Sequence, residues 1–94
     1  MIAINRNESS HRYEATVEGR LAGFAAYELD ERTVTVTHTV VQPEFEGRGV
    51  GSALAKYALE HSRSQRRTVV PACEFIAAYI DEHPEFQELL AGQS

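Results

Sequence analysis

The sequence predicts a mixed α/β fold of the α+β class. An antiparallel β-meander comes first, then a helix, a short strand and a second helix, so that two helices pack a mixed sheet. Three observations lead there. Residues 11–18 alternate between apolar and polar side chains, and residues 33–41 are β-branched at nearly every position. Residues 47–51 read Gly-Arg-Gly-Val-Gly, directly before a segment with helical apolar spacing. Pro43, Pro71 and Pro84 then divide the second half into short units.

Residues 1–5 lean apolar and suit an edge strand, and Asn7-Glu8-Ser9-Ser10 is a polar turn. Over residues 11–18, Tyr13, Ala15 and Val17 share one face and Arg12, Glu14 and Thr16 the other, the period of a half-buried strand. Glu18-Gly19-Arg20 is a hairpin turn, with a glycine available for positive φ. A second strand covers residues 21–29, and Asp30-Glu31-Arg32 is a charged turn. In residues 33–41, strict alternation places Thr33, Thr35, Thr37 and Thr39 on one face, and Val34, Val36, His38 and Val40 on the other. Pro43 ends this strand, because it has no N–H to give to a ladder. A helix over residues 50–63 carries Val50, Leu54, Tyr57, Ala58 and His61 as its buried stripe. Thr68-Val69-Val70 is a short buried strand closed by Pro71. A second helix over residues 72–83 turns Ile76, Tyr79 and Ile80 inward, with Phe75 flanking, and Pro84 stops it. Residues 84–90 lay Phe86, Leu89 and Leu90 on the core, and residues 91–94 are expected to fray.

With 94 residues, of which 43% are apolar, the chain is expected to form one domain over residues 1–94. The formal net charge of -5 and the lack of a long basic stretch argue against a nucleic-acid partner. Arg63, Arg66 and Arg67 form only a short cluster, read as a solvated helix end. The single cysteine allows no internal disulfide and suits a reducing cytoplasm. Neither an apolar signal region nor a run of about 20 apolar residues is present, so no membrane span is expected. His11, His61 and His83 lack metal-ligand spacing, and no metal site is expected.

The glycine junction is the first functional signal. Glycine lets the backbone turn tightly and lets a ligand approach the amides. The first N–H groups of a helix have no intrahelical partner and sit at the positive end of its dipole. Gly47, Gly49, Gly51 and the helix start at Val50 and Ser52 can therefore hold phosphate, with Arg48 adding a fixed positive charge. A P-loop would need Gly-Lys followed by Ser or Thr, and no lysine stands in place. A dinucleotide fingerprint would need a third glycine where Ser52 or Leu54 stands, within a parallel fold longer than this chain.

The blocks Thr37-His38-Thr39-Val40-Val41, Gly47 to Gly51, Val69-Val70-Pro71-Ala72-Cys73, Ala78-Tyr79-Ile80 and His83-Pro84-Glu85-Phe86 occur in this order. Together they resemble the GNAT (GCN5-related) N-acetyltransferase superfamily, and most of all its small YjdJ-type branch, which lacks the helices that most members insert after the first strand. The loop matches the superfamily's motif except that Glu46 stands where Gln or Arg is usual. The resemblance implies an acetyl-CoA site. The amides from Gly47 to Gly51, with Arg48, would hold the pyrophosphate, and the strand end at Val40, Val41 and Gln42 would pair with the pantetheine arm. The thioester would then lie where the strand of residues 33–41 parts from that of residues 68–70.

Two residues are candidates for the chemistry. Cys73 follows a strand and opens a helix, a place where a thiol pKa falls and the nucleophilic thiolate is favoured. Plain packing explains a lone cysteine equally well. The YjdJ-type resemblance adds weight to the first reading, because that branch carries a cysteine here. His38 has an ordinary pKa near 6.5 and suits a general base, although an apolar face would make it structural. In the resembling family the base often comes from this strand. These features lead to an acetyl-CoA-dependent N-acetyltransferase acting on a small amine or a lysine side chain, by direct attack or through Cys73. The alternative is an acyl-CoA-binding or sensing module without turnover.

Overall fold

The computed structural model describes residues 1–90. The expected frayed end, 91–94, lies outside them. Five strands form one sheet in chain order: β1 (Ile2–Asn7), β2 (Arg12–Val17), β3 (Arg20–Asp30), β4 (Thr33–Val41) and β5 (Thr68–Pro71). The first four pair antiparallel, and β5 pairs parallel with β4. The parallel step needs a crossover, which α1 (Val50–Ser64) supplies. α2 (Glu74–Glu82) follows β5, and a 3-10 helix over Pro84–Leu89 ends the described chain, where Leu90 bridges to Val69. The α+β architecture expected from the sequence is the one observed. Among the described residues no helix is long and apolar enough to cross a membrane.

Side-chain alternation sets the layers. Tyr13, Ala15, Val17, Ala25, Val34, Val36 and Val69 are buried on one face of the sheet. α1 covers that face with Val50, Leu54, Ala55, Ala58 and Leu59, and α2 adds Ile76 and Ile80. The buried stripe of α1 holds Val50, Leu54 and Ala58 as expected and adds Gly51, Ala55, Leu59 and Ser62, because the helix meets α2 and the last 3-10 turn as well as the sheet. Tyr57 and His61, expected on the stripe, are only half-buried at its edge. Ser62 falls on this stripe and satisfies its hydroxyl by donating to Ala58 O at 2.8 Å. Glu18 and Gly19, with φ of 52° and 81°, make the β2–β3 hairpin with both central residues left-handed, the twist that favours tight hairpins.

One register detail departs from strict alternation and decides the site. Ala26 pairs with His38, but the next residue, Tyr27, pairs with Val36. Thr37 is therefore an extra residue, a β-bulge in β4. An extra residue reverses the parity of everything after it. Thr39, opposite the buried Ala25, joins Val34 and Val36 on the helix-covered face, while His38 and Val40 turn to the open face and are exposed. The expectation that His38 shares a face with Val34 and Val36 is thus corrected.

Candidate functional site

After Val41 a short 3-10 turn, Pro43–Phe45, drops Phe45 into the core. The chain then climbs to α1 through Gly47 and Gly49, whose φ of 81° and 82° lie where L side chains are strained. Gly49 is the N-cap of α1 and offers no side chain to the helix start. The first intrahelical bond runs from Ala53 N–H to Gly49 O at 3.0 Å. The N–H groups of Val50, Gly51 and Ser52 are left without an intrahelical partner. They border an open cleft of about 240 Å³, whose other walls are Val41, Phe45, Glu46, Gly47 and Phe75. Arg48 is exposed beside it, with its guanidinium 5.6 Å from the Phe45 ring centre and no carboxylate partner among the described residues. Arg20, on the same ring at 5.4 Å, is instead held by Glu44 at 2.7 Å. Two features thus suit an anion here: unpartnered amides at the positive end of a helix of 15 residues, and an unpaired guanidinium.

The strands part where the sequence suggests. β4 and β5 pair from Thr33–Thr68 to Val36–Pro71, and the last contact is Cys73 N–H donating to Val36 O at 2.9 Å. Beyond that point β4 runs on without a neighbour on the β5 side. Gln42 N–H donates to Ala22 O at 2.8 Å, so the backbone groups of Gln42 and Val40 face β3. Those of Thr39 and Val41 face the gap instead. Of the three residues expected to pair with an extended ligand, Val41 alone turns its backbone groups to the gap; Thr39 shares that orientation, and Val40 and Gln42 are engaged with β3. The bulge at Thr37 carries no glycine or proline, so composition does not signal it.

Cys73 is the N-cap of α2, with its thiol 3.3 Å from Thr39 Oγ1. Burial raises the thiol pKa, but the nearby Thr39 hydroxyl and then the backbone of Ile76, Phe75 and Thr39 outweigh it, leaving the pKa below its usual value. Thr39 belongs to the same side of β4 as Val41, which lines the cleft two residues on, about 7 Å along the strand. Phe75, two residues after Cys73, forms the cleft's opposite wall. Cys73 and Thr39 do not themselves line the cleft; through Val41 and Phe75 they adjoin it, and together with the glycine loop they make one neighbourhood. His38 is not part of it: its ring lies on the open face of the sheet, with Nδ1 2.9 Å from Thr37 Oγ1. Tyr79 is buried in α2 and stacks on His83 at 3.9 Å.

Comparison with known proteins finds a family and similar folds. Residues 12–89 match the model of a family described as GCN5-related N-acetyl-transferase. An alignment 61 positions long, covering 57% of this chain, is 34% identical to an uncharacterized N-acetyltransferase of Methanocaldococcus jannaschii and spans 27% of that longer protein. Among solved structures, the fold is similar to that of a GCN5-like protein from Staphylococcus aureus determined by NMR in solution. The TM-score is 0.73 at 23% identity, covering 98% of this chain and 90% of that one. It is also similar to an N-acetyltransferase from Thermoplasma acidophilum solved in complex with coenzyme A. There the TM-score is 0.58 at 12% identity, over 79% of this chain and 48% of that one.

Proposed function

Because the chain belongs to the GCN5-related N-acetyltransferase family, we propose that it binds acetyl-CoA in the cleft between β4 and α1 and transfers the acetyl group to an amine. The observation that carries this reading is a cleft bordered by unpartnered amides, with Arg48 exposed beside it, whose walls Val41 and Phe75 adjoin the outward-facing strand edge of β4 and the Cys73 thiol. The amides of Val50, Gly51 and Ser52, with Arg48, take the pyrophosphate, and their charge-assisted bonds are among the stronger kind. The backbone groups of Val41 and Thr39 take the pantetheine amides as a neighbouring strand would.

Two routes transfer the group. In the direct route the neutral amine attacks the thioester carbon, the C–S bond breaks, and the proton leaving the amine ends on the departing CoA sulfur. In the relay, the Cys73 thiolate attacks the thioester carbon first and CoA departs as its thiolate. The amine then attacks the acetyl-cysteine, the C–S bond breaks to restore the Cys73 thiolate, and the proton lost by the amine ends on the CoA sulfur. The lowered thiol pKa favours the relay. His38, on the opposite face of the sheet, serves neither route as base. A small amine or a lysine side chain fits the shallow opening, and the net negative charge steers cations toward it. A reducing, cytoplasmic setting suits the free thiol.

The test is mass spectrometry of the protein incubated with acetyl-CoA, native and then denatured, followed by a panel of amines. Native mass should show one bound CoA species, and denatured mass one acetyl group on Cys73 that an amine discharges. CoA binding without acetyl consumption by any amine would leave only a binding module. No CoA binding at all would end the proposal.

A further inference from the structure

A second concavity lies outside the cleft. At the far end of α1, ten residues past Gly51 and so about 15 Å along the helix axis, His61 joins Glu8, His11, Tyr27, Leu29 and Arg67 around a space of about 260 Å³. Its aromatic wall is continuous: His11 stacks on Tyr27 at 5.8 Å, and Tyr27 lies 5.0 Å from Tyr13. Tyr13 meets Tyr57 and His61 edge-on at 5.7 and 6.1 Å. The rings pack in the offset and edge-on arrangements that aromatic pairs prefer, which makes the wall rigid.

The charges around this space do not cancel. Arg6 is 3.4 Å from Glu8 and donates to His61 Nε2 at 2.9 Å, so His61 is an acceptor there and neutral. Arg67 is half-buried and, among the described residues, has neither a carboxylate within ion-pair distance nor a side-chain hydrogen bond. Two guanidinium groups face one carboxylate, and one positive charge remains. A partly buried guanidinium without a counter-charge is unfavourable, and an anion bound beside it removes the cost. Burial, Arg6 and Arg67 together hold the His61 pKa down, as expected where positive charge is in excess.

We propose that this pocket is a second binding site, for a small monoanionic carboxylate with a flat apolar body. The carboxylate meets the Arg67 fork, and the body lies against Tyr27 and Leu29. A single residual charge suits a monoanion better than a diphosphate. A helix length separates the pocket from the glycine loop, so its ligand binds alongside acyl-CoA. The inference does not depend on the acyl-transfer reading.

The experiment is an NMR titration of the full isotope-labelled chain with benzoate, using benzamide as the neutral control. Benzoate should give saturable shifts at the Arg67 guanidinium and the His61 ring and leave the amides around Arg48 unmoved. Arg67→Gln should weaken binding about tenfold, the loss of one charge-assisted contact. Should that variant unfold, Arg67→Lys, which keeps the charge and loses the fork, should bind several-fold more weakly. The proposal is overturned if benzoate produces no saturable shift, if benzamide titrates equally well, if the responding residues are those of the glycine loop, or if the Arg67 variant that folds binds as the parent does.

Discussion

Phe75 lies over Gly51 so closely that a Cβ added at 51 would stand 2.8 Å from the ring's Cζ. The start of α2 thus rests on the first turn of α1, and only a glycine leaves room for it. The contact is with the free end of a side chain that is 42% exposed, so the ring can swing aside. For Gly51→Ala, the helix-propensity gain of at most about 1 kcal/mol offsets the lost ring contact, and the melting temperature should move by only a few degrees. The displaced ring then enters the cleft, and calorimetry should show acetyl-CoA affinity reduced about tenfold. Unchanged affinity would place the phosphates elsewhere.

Gly23 behaves differently because backbone surrounds it. Its added Cβ would meet Val40 O at 2.5 Å and Val41 Cα at 3.2 Å. Neither can move without breaking the β3–β4 ladder. Gly23→Ala should cost about 3 kcal/mol by urea unfolding, the upper end for overpacking. Gly47→Ala, with open space around it but φ of 81°, should cost only about 1 kcal/mol, the strain of a left-handed residue. Equal costs for the two would mean that the pairing of Gly23 with Val41 is not as described.

The Thr39 hydroxyl is the side-chain partner that favours the Cys73 thiolate. The pH profile of thiol alkylation should therefore have its midpoint below that of an unperturbed thiol. In Thr39→Val the hydroxyl is gone while the shape is kept, so the midpoint should rise and the neutral-pH rate should fall. A profile that Thr39→Val leaves in place would assign the lowered pKa to the helix amides alone.

His61 is neutral in the fold, with its pKa held down by burial, then by Arg6 and Arg67, against the opposing effect of Glu8. The unfolded chain therefore binds the proton more readily. The contribution of His61 to stability is complete above its unfolded pKa of about 6.5 and is lost as pH falls through the folded value. Melting temperatures should drop between pH 7.5 and pH 5, and His61→Gln should flatten that part of the curve. If the variant keeps the full slope, the acid sensitivity belongs to other groups, Glu14 first among them. Its carboxyl is held low by Arg12 and then Asn7 and loses its contribution at more acidic pH.

His38 offers the plainest contrast with its neighbour. It is exposed on the sheet face opposite the Cys73–Thr39 pair. His38→Ala should leave the rate of acetyl transfer within about twofold and its pH profile unmoved, since general-base removal typically costs 100-fold or more. A large loss would return the base to this residue.

Much of the fold was legible because it is written in short-range periodicity. Tyr13, Ala15 and Val17 alternate, Val50, Leu54 and Ala58 recur at helical spacing, and Pro43 and Pro84 stand where elements stop. The glycine loop was legible for the same reason, since consecutive residues specify a tight climb into a helix. Family membership followed from the order of such blocks. The bulge at Thr37 was not legible. Threonine is an ordinary strand residue, and the extra residue exists only relative to the partner strand. That one-residue slip turned His38 to the open face and Thr39 toward Cys73.

What the chain determined alone, then, is a meander, a glycine-lined helix start and a cysteine opening a second helix. Tertiary packing decided which of these meet. Thr39 and Cys73 are 34 positions apart and touch only because β5 pairs with β4 and then parts from it. Arg67 and Tyr27 share a pocket only because α1 lies across the sheet. Local propensity acts over a few residues, whereas contact between distant side chains depends on register and crossing geometry, which arise only once the whole core is assembled.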